Sequence, residues 1–177
     1  MSFNKYSTSN HMAKNTNELQ QEGTAAARLD AVDRRLLGLL AGDSTLSYTE
    51  LGQALHLSAP AVHERVKRLK RDRVILGTVA RLDGAKLGRP LLCFVQVITN
   101  TVKRARQVAA LSSLADIEEI HTVTGESGIL LKVRTRDTQA LEALLAKIHG
   151  VEGVEGTRTQ IALSTLLERG PSPDLAG

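Results

Sequence analysis

The chain has 177 residues, 42% hydrophobic and 24% charged, with a net charge of +4; this allows one domain or two small ones and excludes disorder of the whole. No apolar run approaches the ~20 residues of a membrane span and no charged-then-apolar leader is present, so a cytoplasmic protein with no membrane partner is expected. One cysteine, no zinc-like Cys and His spacing and 2% aromatic residues argue against an internal disulfide, a metal site, a cofactor and stacking on single-stranded bases.

Residues 1–27 are polar and aperiodic, and a tail too poor in apolar area to order itself is expected there. The His11-Met12 pair resembles a restriction-site scar ahead of a start methionine. From Leu29 the pattern turns helical: Leu29, Val32, Leu36 and Leu39 or Leu40 share a face, and Gly42 supplies a stop. Ser47 and Glu50 then form an S-x-x-E capping box, stapled by Leu46 and Leu51, so a second helix runs from about Tyr48 to Leu55. Ser58 is a further N-cap, Pro60 falls in the first turn where a missing N–H costs nothing, and Leu57 staples to Val62. The third helix thus starts about three residues after the second ends. So short a connection matches a helix-turn-helix, whose second helix lies in the major groove.

That third helix places Val62, Val66 and Leu69 on one stripe, to be packed on a core. Glu64, Lys67 and Arg71 occupy the opposite arc, flanked by Ala61, Arg65 and Arg68 on one side and by His63 and Lys70 on the other. From His63 to Arg73 there are six Lys or Arg against Glu64 and Asp72, a net +4 from six minus two, so the rest of the chain sums to zero. Such local excess suits phosphates better than a solvated helix face, and double-stranded DNA is the expected partner. Arg65, Lys67, Arg68 and Arg71 are candidates for phosphate or base-edge contacts. Ser58, Ala59, Ala61 and His63, near the helix N-terminus, are candidates for positions close to the bases. The DNA-binding domain spans residues 28–73.

Residues 74–90 read as a β-linker and hinge: Val74 to Leu82 is β-rich, a strand or wing, and two Gly and a Pro break regular structure from Asp83 to Pro90. From Leu91 to Arg169 Lys plus Arg equal Asp plus Glu, nine each, so this half is not built for phosphates. Leu91 to Thr99 is a strand apolar on both faces. Ala105, Val108, Ala109 and Leu111 suggest a helix, and Ile117 to Thr124 a second strand. Gly128 to Thr135 alternates as a half-buried third strand, and Leu141, Leu144, Leu145 and Ile148 form a helix face closed by Gly150. Val151 to Leu167 holds a last strand, or two segments interrupted near Gly156. The order βαββαβ over residues 91–168 is ferredoxin-like, so the fold class is α+β: a winged-helix-like helix-turn-helix domain plus a sheet with both helices on one face. A short tail, 169–177, follows.

Strand one cannot leave either phase in water, whether Leu91, Cys93, Val95 and Val97 or Leu92, Phe94 and Ile98. A homodimer through the open sheet face is therefore expected, pairing two basic helices on a roughly palindromic site. Four features admit a bland reading. Cys93 is a buried inert thiol rather than a nucleophile. Glu118 and Glu119, neighbours on a strand, point to opposite faces and form no acid/base pair. Gly150, Gly153 and Gly156 lack the Lys-Ser/Thr of a phosphate loop. His121 reads as core or dimer-interface packing, since no carboxylate or Ser stands beside it at a catalytic spacing.

These segments, in this order, resemble the Lrp/AsnC (feast/famine) transcriptional regulators: LDAVDRRLLGLL from Leu29, LSAPAVHERVKRL from Leu57, VILGTVARLD from Val74 and VTG from Val123. The resemblance covers Leu29 to about Leu167. It implies a helix-turn-helix, a β-linker and a C-terminal sensing domain that pairs through its sheet, with dimers often assembled as rings of four, an octamer. It also implies amino acids or related small metabolites as effectors, bound where dimers meet, and no catalytic activity. The departures are informative. His56 and Arg73 stand where the family has Gly, and Thr78 where it has Tyr. The sensing loop, Thr-Gly-Asp-aromatic-Asp in the family, is here Thr124, Gly125, Glu126, Ser127 and Gly128. The second acid, a natural partner for an effector's ammonium group, is missing, and a plain hairpin turn fits this stretch as well as a ligand loop does. An architectural protein that compacts DNA without an effector shares every DNA-side feature. Haem-pathway decarboxylases resemble the family in fold, with His121 the residue to suspect, but the charge-balanced half suits their many-carboxylate substrates poorly.

Overall fold

The structure, a computed structural model, describes residues 27–99, 104–125 and 128–173. Residues 1–26 of the expected tail, and Glu126 and Ser127 of the sensing loop, lie outside the described residues. The chain divides into two compact units, one holding the described residues 27–80 and 167–173, the other 81–166.

The described residues of the first unit form three helices, α1 (Ala31–Gly42), α2 (Tyr48–Leu55) and α3 (Ala59–Arg71). Each start is marked by a cap. The Asp33 N–H donates to Asp30 Oδ1 at 2.7 Å and the Asp30 N–H to Asp33 Oδ2 at 3.2 Å, a reciprocal box that starts α1 two residues after Leu29. Ser47 and Glu50 repeat the arrangement on α2, and the Ala61 N–H donates to Ser58 Oγ at 3.3 Å on α3. Apolar spacing does the rest: Leu36, Leu51, Leu55, Val62, Val66 and Leu69 are buried together, with Leu29, Leu46 and Leu57 packed against them.

Both α2 and α3 end the same way. The Leu57 N–H reaches Gly52 O at 2.8 Å and the His56 N–H reaches Gln53 O at 3.4 Å; the Val74 N–H reaches Leu69 O at 2.9 Å and the Arg73 N–H reaches Lys70 O at 3.1 Å. These are Schellman caps, which need a left-handed residue at the position usually given to glycine. His56 takes it with φ 56° and Arg73 with φ 55°. A residue with a Cβ is strained there by roughly 1–2 kcal/mol, so the turn survives at a cost. Gly52 permits the first turn sterically, because a Cβ on it would stand 2.5 Å from the Leu57 carbonyl oxygen.

The stretch expected as a strand or wing, Val74 to Leu82, forms no strand within the chain. Val74 and Ile75 pack on the helical core, whereas Leu76 is 83% and Val79 87% exposed. The physical reason is that a strand exists through its hydrogen-bonded neighbour, and among the described residues no strand pairs with this segment.

The second unit contains β1 (Leu91–Thr99), α4 (Arg104–Ser112), β2 (Ile117–Thr122), β3 (Ile129–Thr135), α5 (Thr138–His149) and β4 (Val154–Ile161). The sheet order is β2-β3-β1-β4 with every neighbouring pair antiparallel, the ferredoxin-like arrangement. Cys93, Val95 and Val97 of β1 and Ile129, Leu131 and Val133 of β3 point to one side, where Leu111 of α4 and Leu141, Leu144 and Ile148 of α5 cover them. Both helices therefore share a face. Burial raises the Cys93 thiol above its ordinary range, which keeps it inert. The last strand is continuous through Gly156; the irregularity expected there appears as a register shift opposite it, between Ile98 and Thr99. Among the described residues no helix is long and apolar enough to cross a membrane.

Candidate nucleic-acid interface and sensing face

Helix α3 buries Val62, Val66 and Leu69 and turns its other sides outward. Ser58, His63, Lys67 and Arg71 are exposed, while Ala59, Ala61, Arg65 and Arg68 are half-buried. Arg65 and Arg68, expected to contact DNA, have partners within the chain. Arg65 Nη1 donates to Asp30 Oδ2 and Asp33 Oδ1, both at 2.7 Å, and Arg68 Nη2 lies 2.6 Å from each oxygen of Asp33. Asp33 is wholly buried. A buried carboxylate needs compensating charge and donors, and two guanidinium groups of α3 supply both.

The spacing explains why. Asp30 and Asp33 are three apart at the start of α1, and Arg65 and Arg68 are three apart on α3, so each pair occupies one helical face and the two faces meet. The hydrogen bond from Arg65 holds the Asp30 carboxyl below the usual range, and Asp30 and Asp33 together raise the Arg65 guanidinium. Neither acid stands out when α3 is read alone. Their spacing, matched to that of the arginines, is the signal the sequence offers.

What remains for an outside anion is narrower than the charge count. Lys67 and Lys70 have no ion pair among the described residues. Arg71 Nε sits 2.9 Å from Asp72 Oδ1, but both are exposed, and such a pair is worth little and is readily exchanged for a phosphate. The outward surface is thus His63, Lys67, Lys70 and Arg71, with the N-terminal turn of α3 beside them.

In the second unit, β2 and β3 join through a hairpin closed by the Val123 N–H on Gly128 O at 3.1 Å. Gly125 at φ 98° and Gly128 at φ 72° take conformations that suit glycine. Thr124 and Gly125 are exposed and Gly128 is buried.

The sheet side opposite the helices carries Leu92, Phe94, Gln96 and Ile98 of β1 with Leu130, Lys132 and Arg134 of β3. The expectation that Glu118 and Glu119 diverge is corrected by a bulge between Ile117 and Glu119. The extra residue lets both carboxylates approach Lys132 Nζ, Glu119 at 3.0 Å and Glu118 at 3.6 Å, while Arg134 Nε donates to Glu118 at 2.6 Å. His121 is not packed in the chain's own core. Its side chain is 55% exposed with Nε2 2.9 Å from Glu119 Oε2, because it lies on the helix-free side of an edge strand. That contact, with the one from Lys132, lowers the Glu119 carboxyl.

A three-helix unit ending in a basic, solvent-facing helix, joined to a ferredoxin-like sheet with one face free of helices, defines a helix-turn-helix transcriptional regulator with a separate sensing domain. The AsnC-type helix-turn-helix domain matches residues 29–70 and the Lrp/AsnC ligand binding domain residues 92–172. The chain is 31% identical over 145 residues to the HTH-type transcriptional regulator FL11 of Pyrococcus abyssi, covering 82% of this chain and 96% of that one. The structure of Escherichia coli AsnC superposes with a TM-score of 0.77 at 29% identity, covering 82% of this chain and 99% of that one. The feast or famine regulatory protein Rv3291c of Mycobacterium tuberculosis, solved in complex with L-methionine, gives a TM-score of 0.74 at 33% identity over 79% of this chain and 95% of that one. The chain belongs to the Lrp/AsnC family of transcriptional regulators.

The buried carboxylate yields a direct prediction. Asp33→Ala removes the common acceptor of two arginines whose side chains are 27% and 39% exposed and can turn to water. The expected loss is about 1–3 kcal/mol of stability, less than for breaking a wholly buried pair. Urea unfolding measures it, and a variant as stable as the parent would deny the carboxylate its role.

Proposed function

We propose that this protein is a dimeric, sequence-reading regulator that lays α3 in the major groove, with Lys67 and Arg71 on phosphates and Ser58, Ala59, Ala61 and His63 near the bases. The observation that carries this reading is the division of the α3 cations. Arg65 and Arg68 turn inward to Asp30 and Asp33, and Lys67, Lys70 and Arg71 stay on the outer side. In this reading Arg65 and Arg68 orient the helix rather than touch DNA.

Salt titration of DNA binding tests the division. Removing a cation that meets one phosphate reduces the slope of log affinity against log salt by about one unit. Lys67→Ala should produce that change with unaltered stability. Arg68→Ala should reduce stability and leave the slope as it was. The reverse pattern would overturn the assignment.

The dimer is proposed to form through the helix-free sheet face. Support comes from Phe94 and Ile98, half-buried in the single chain, and from the exposed Leu76 and Val79, which a second copy of the linker would cover as a paired strand. Of the two phases of strand one, the open one contains Phe94, since Val95 lies under the helices. Phe94→Asp should therefore give a folded monomer or a weakened dimer by light scattering, and a folded monomer of the unaltered chain at micromolar concentration would sink the idea. Assembly of such dimers into an octamer belongs to the same proposal, as do a cytoplasmic location and the absence of catalysis.

The sensing domain is proposed to respond to an amino acid or a related small metabolite through the loop Thr124, Gly125, Glu126, Ser127 and Gly128. The L-methionine complex of the M. tuberculosis relative supports the ligand class. Titration calorimetry with L-methionine and then with pooled amino acids is the check: heat of binding that Glu126→Ala abolishes is expected, and no heat with any of them would favour a regulator without an effector.

A further inference from the structure

The start of α2 and the middle of α3 are joined by a contact between two rings. The centroids of Tyr48 and His63 lie 5.3 Å apart with the planes tilted by 54°. Aromatic rings attract one another in tilted arrangements at such separations, through edge-to-face electrostatics and dispersion. Tyr48 is 38% exposed and the His63 side chain 52%, so neither is a core residue.

The geometry is built from the backbone outward. Tyr48 is the first residue of α2, directly after Ser47, whose N–H donates to Glu50 Oε2 at 2.7 Å while the Glu50 N–H donates to Ser47 Oγ at 3.2 Å. That reciprocal box holds the peptide from which the Tyr48 ring projects. His63 stands on the flank of α3 that meets α2, about 160° round the helix from Arg65 on the flank that meets α1. Nδ1 lies 3.6 Å from Glu64 Oε1, beyond hydrogen-bond distance, so neither ring nitrogen is hydrogen-bonded to a described residue. Nδ1 faces Glu64 of its own helix, and Nε2 is the nitrogen offered to a partner outside the protein.

We propose that Tyr48 is a positioning residue for base reading: its ring restricts His63 to one orientation, so that Nε2 is presented to one base pair of the major groove before DNA arrives. The inference rests on the reading of α3 as the groove helix with His63 near the bases. An unrestrained imidazole on an exposed helix samples several rotamers and must be ordered on binding, which weakens affinity and blurs discrimination. Seating it against a ring on a capped helix removes part of that penalty. Tyr48 acts through His63 and its hydroxyl has no role in reading.

The test is a double-mutant cycle on the full chain, using DNA obtained by binding-site selection with the unaltered protein. Tyr48→Ala should weaken binding to that site about threefold to tenfold and relax base preference at the same position that His63→Ala relaxes. Tyr48→Phe should retain both affinity and preference, and Tyr48→Ala should have no further effect once His63 is Ala. Thermal unfolding of each variant confirms that the helices are intact. If Tyr48→Phe weakens binding as much as Tyr48→Ala, the hydroxyl contacts DNA and the proposal is wrong. If the effect of Tyr48→Ala persists in full without His63, it is wrong as well. Should His63→Ala remove a base preference that Tyr48→Ala keeps, the positioning role alone fails; should His63→Ala change no preference, the base-contact reading of His63 fails and the positioning role goes with it.

Discussion

A single buried carboxylate governs how the DNA-facing unit is put together. Asp33 is wholly enclosed and is met by guanidinium groups of Arg65 and Arg68. A carboxylate in that position needs compensating charge and donors, and they are supplied from α3. The same bonds do three things. They bear on the rotation of α3 about its axis, they tie α3 to the start of α1, and they pair two of its cations, whose side chains stay 27% and 39% exposed. What is left outward, His63, Lys67, Lys70 and Arg71, is therefore a selected set rather than all that the charge count offers.

A second constraint comes from unpaired surface. The linker after α3 carries Leu76 and Val79 almost fully exposed, and the sheet keeps one side free of helices. Both features are costly for an isolated chain, since apolar side chains gain stability only when removed from water and strand edges only when paired. A two-fold arrangement with a second copy relieves both at once. The charged groups on the open face, Lys132 between Glu118 and Glu119 and Arg134 on Glu118, already satisfy one another. They can enter an interface without leaving a buried charge alone.

Much of this was legible in the amino-acid sequence, for local reasons. The capping box at Ser47, the cap at Ser58 and the stripe Val62, Val66, Leu69 each depend on residues within a few positions, so α2 and α3 fall where the pattern placed them. The strand Leu91–Thr99 was likewise readable as an element, though not which of its apolar faces the helices cover, and the helix face Leu141, Leu144, Ile148 was readable from its period. The order βαββαβ then leaves few topologies, and the sheet order follows. Even the awkward turn at His56 was visible as a side chain where glycine serves better.

Tertiary structure decided what depends on distant partners. That Arg65 and Arg68 meet Asp33 rests on the packing of α1 against α3, more than thirty residues apart in sequence, and no helical wheel of α3 alone contains it. The contact between Tyr48 and His63 has the same origin. The bulge that brings Glu118 and Glu119 onto one lysine arises from β2 pairing with β3. It overrides the alternation that a strand read by itself would impose. Val74 to Leu82 has the composition of a strand and is assigned none, because β-structure belongs to pairs of segments and among the described residues no strand pairs with this one. Propensity, period and caps are properties of the sequence; which charge meets which, and which face is left open, exist only once the elements are packed.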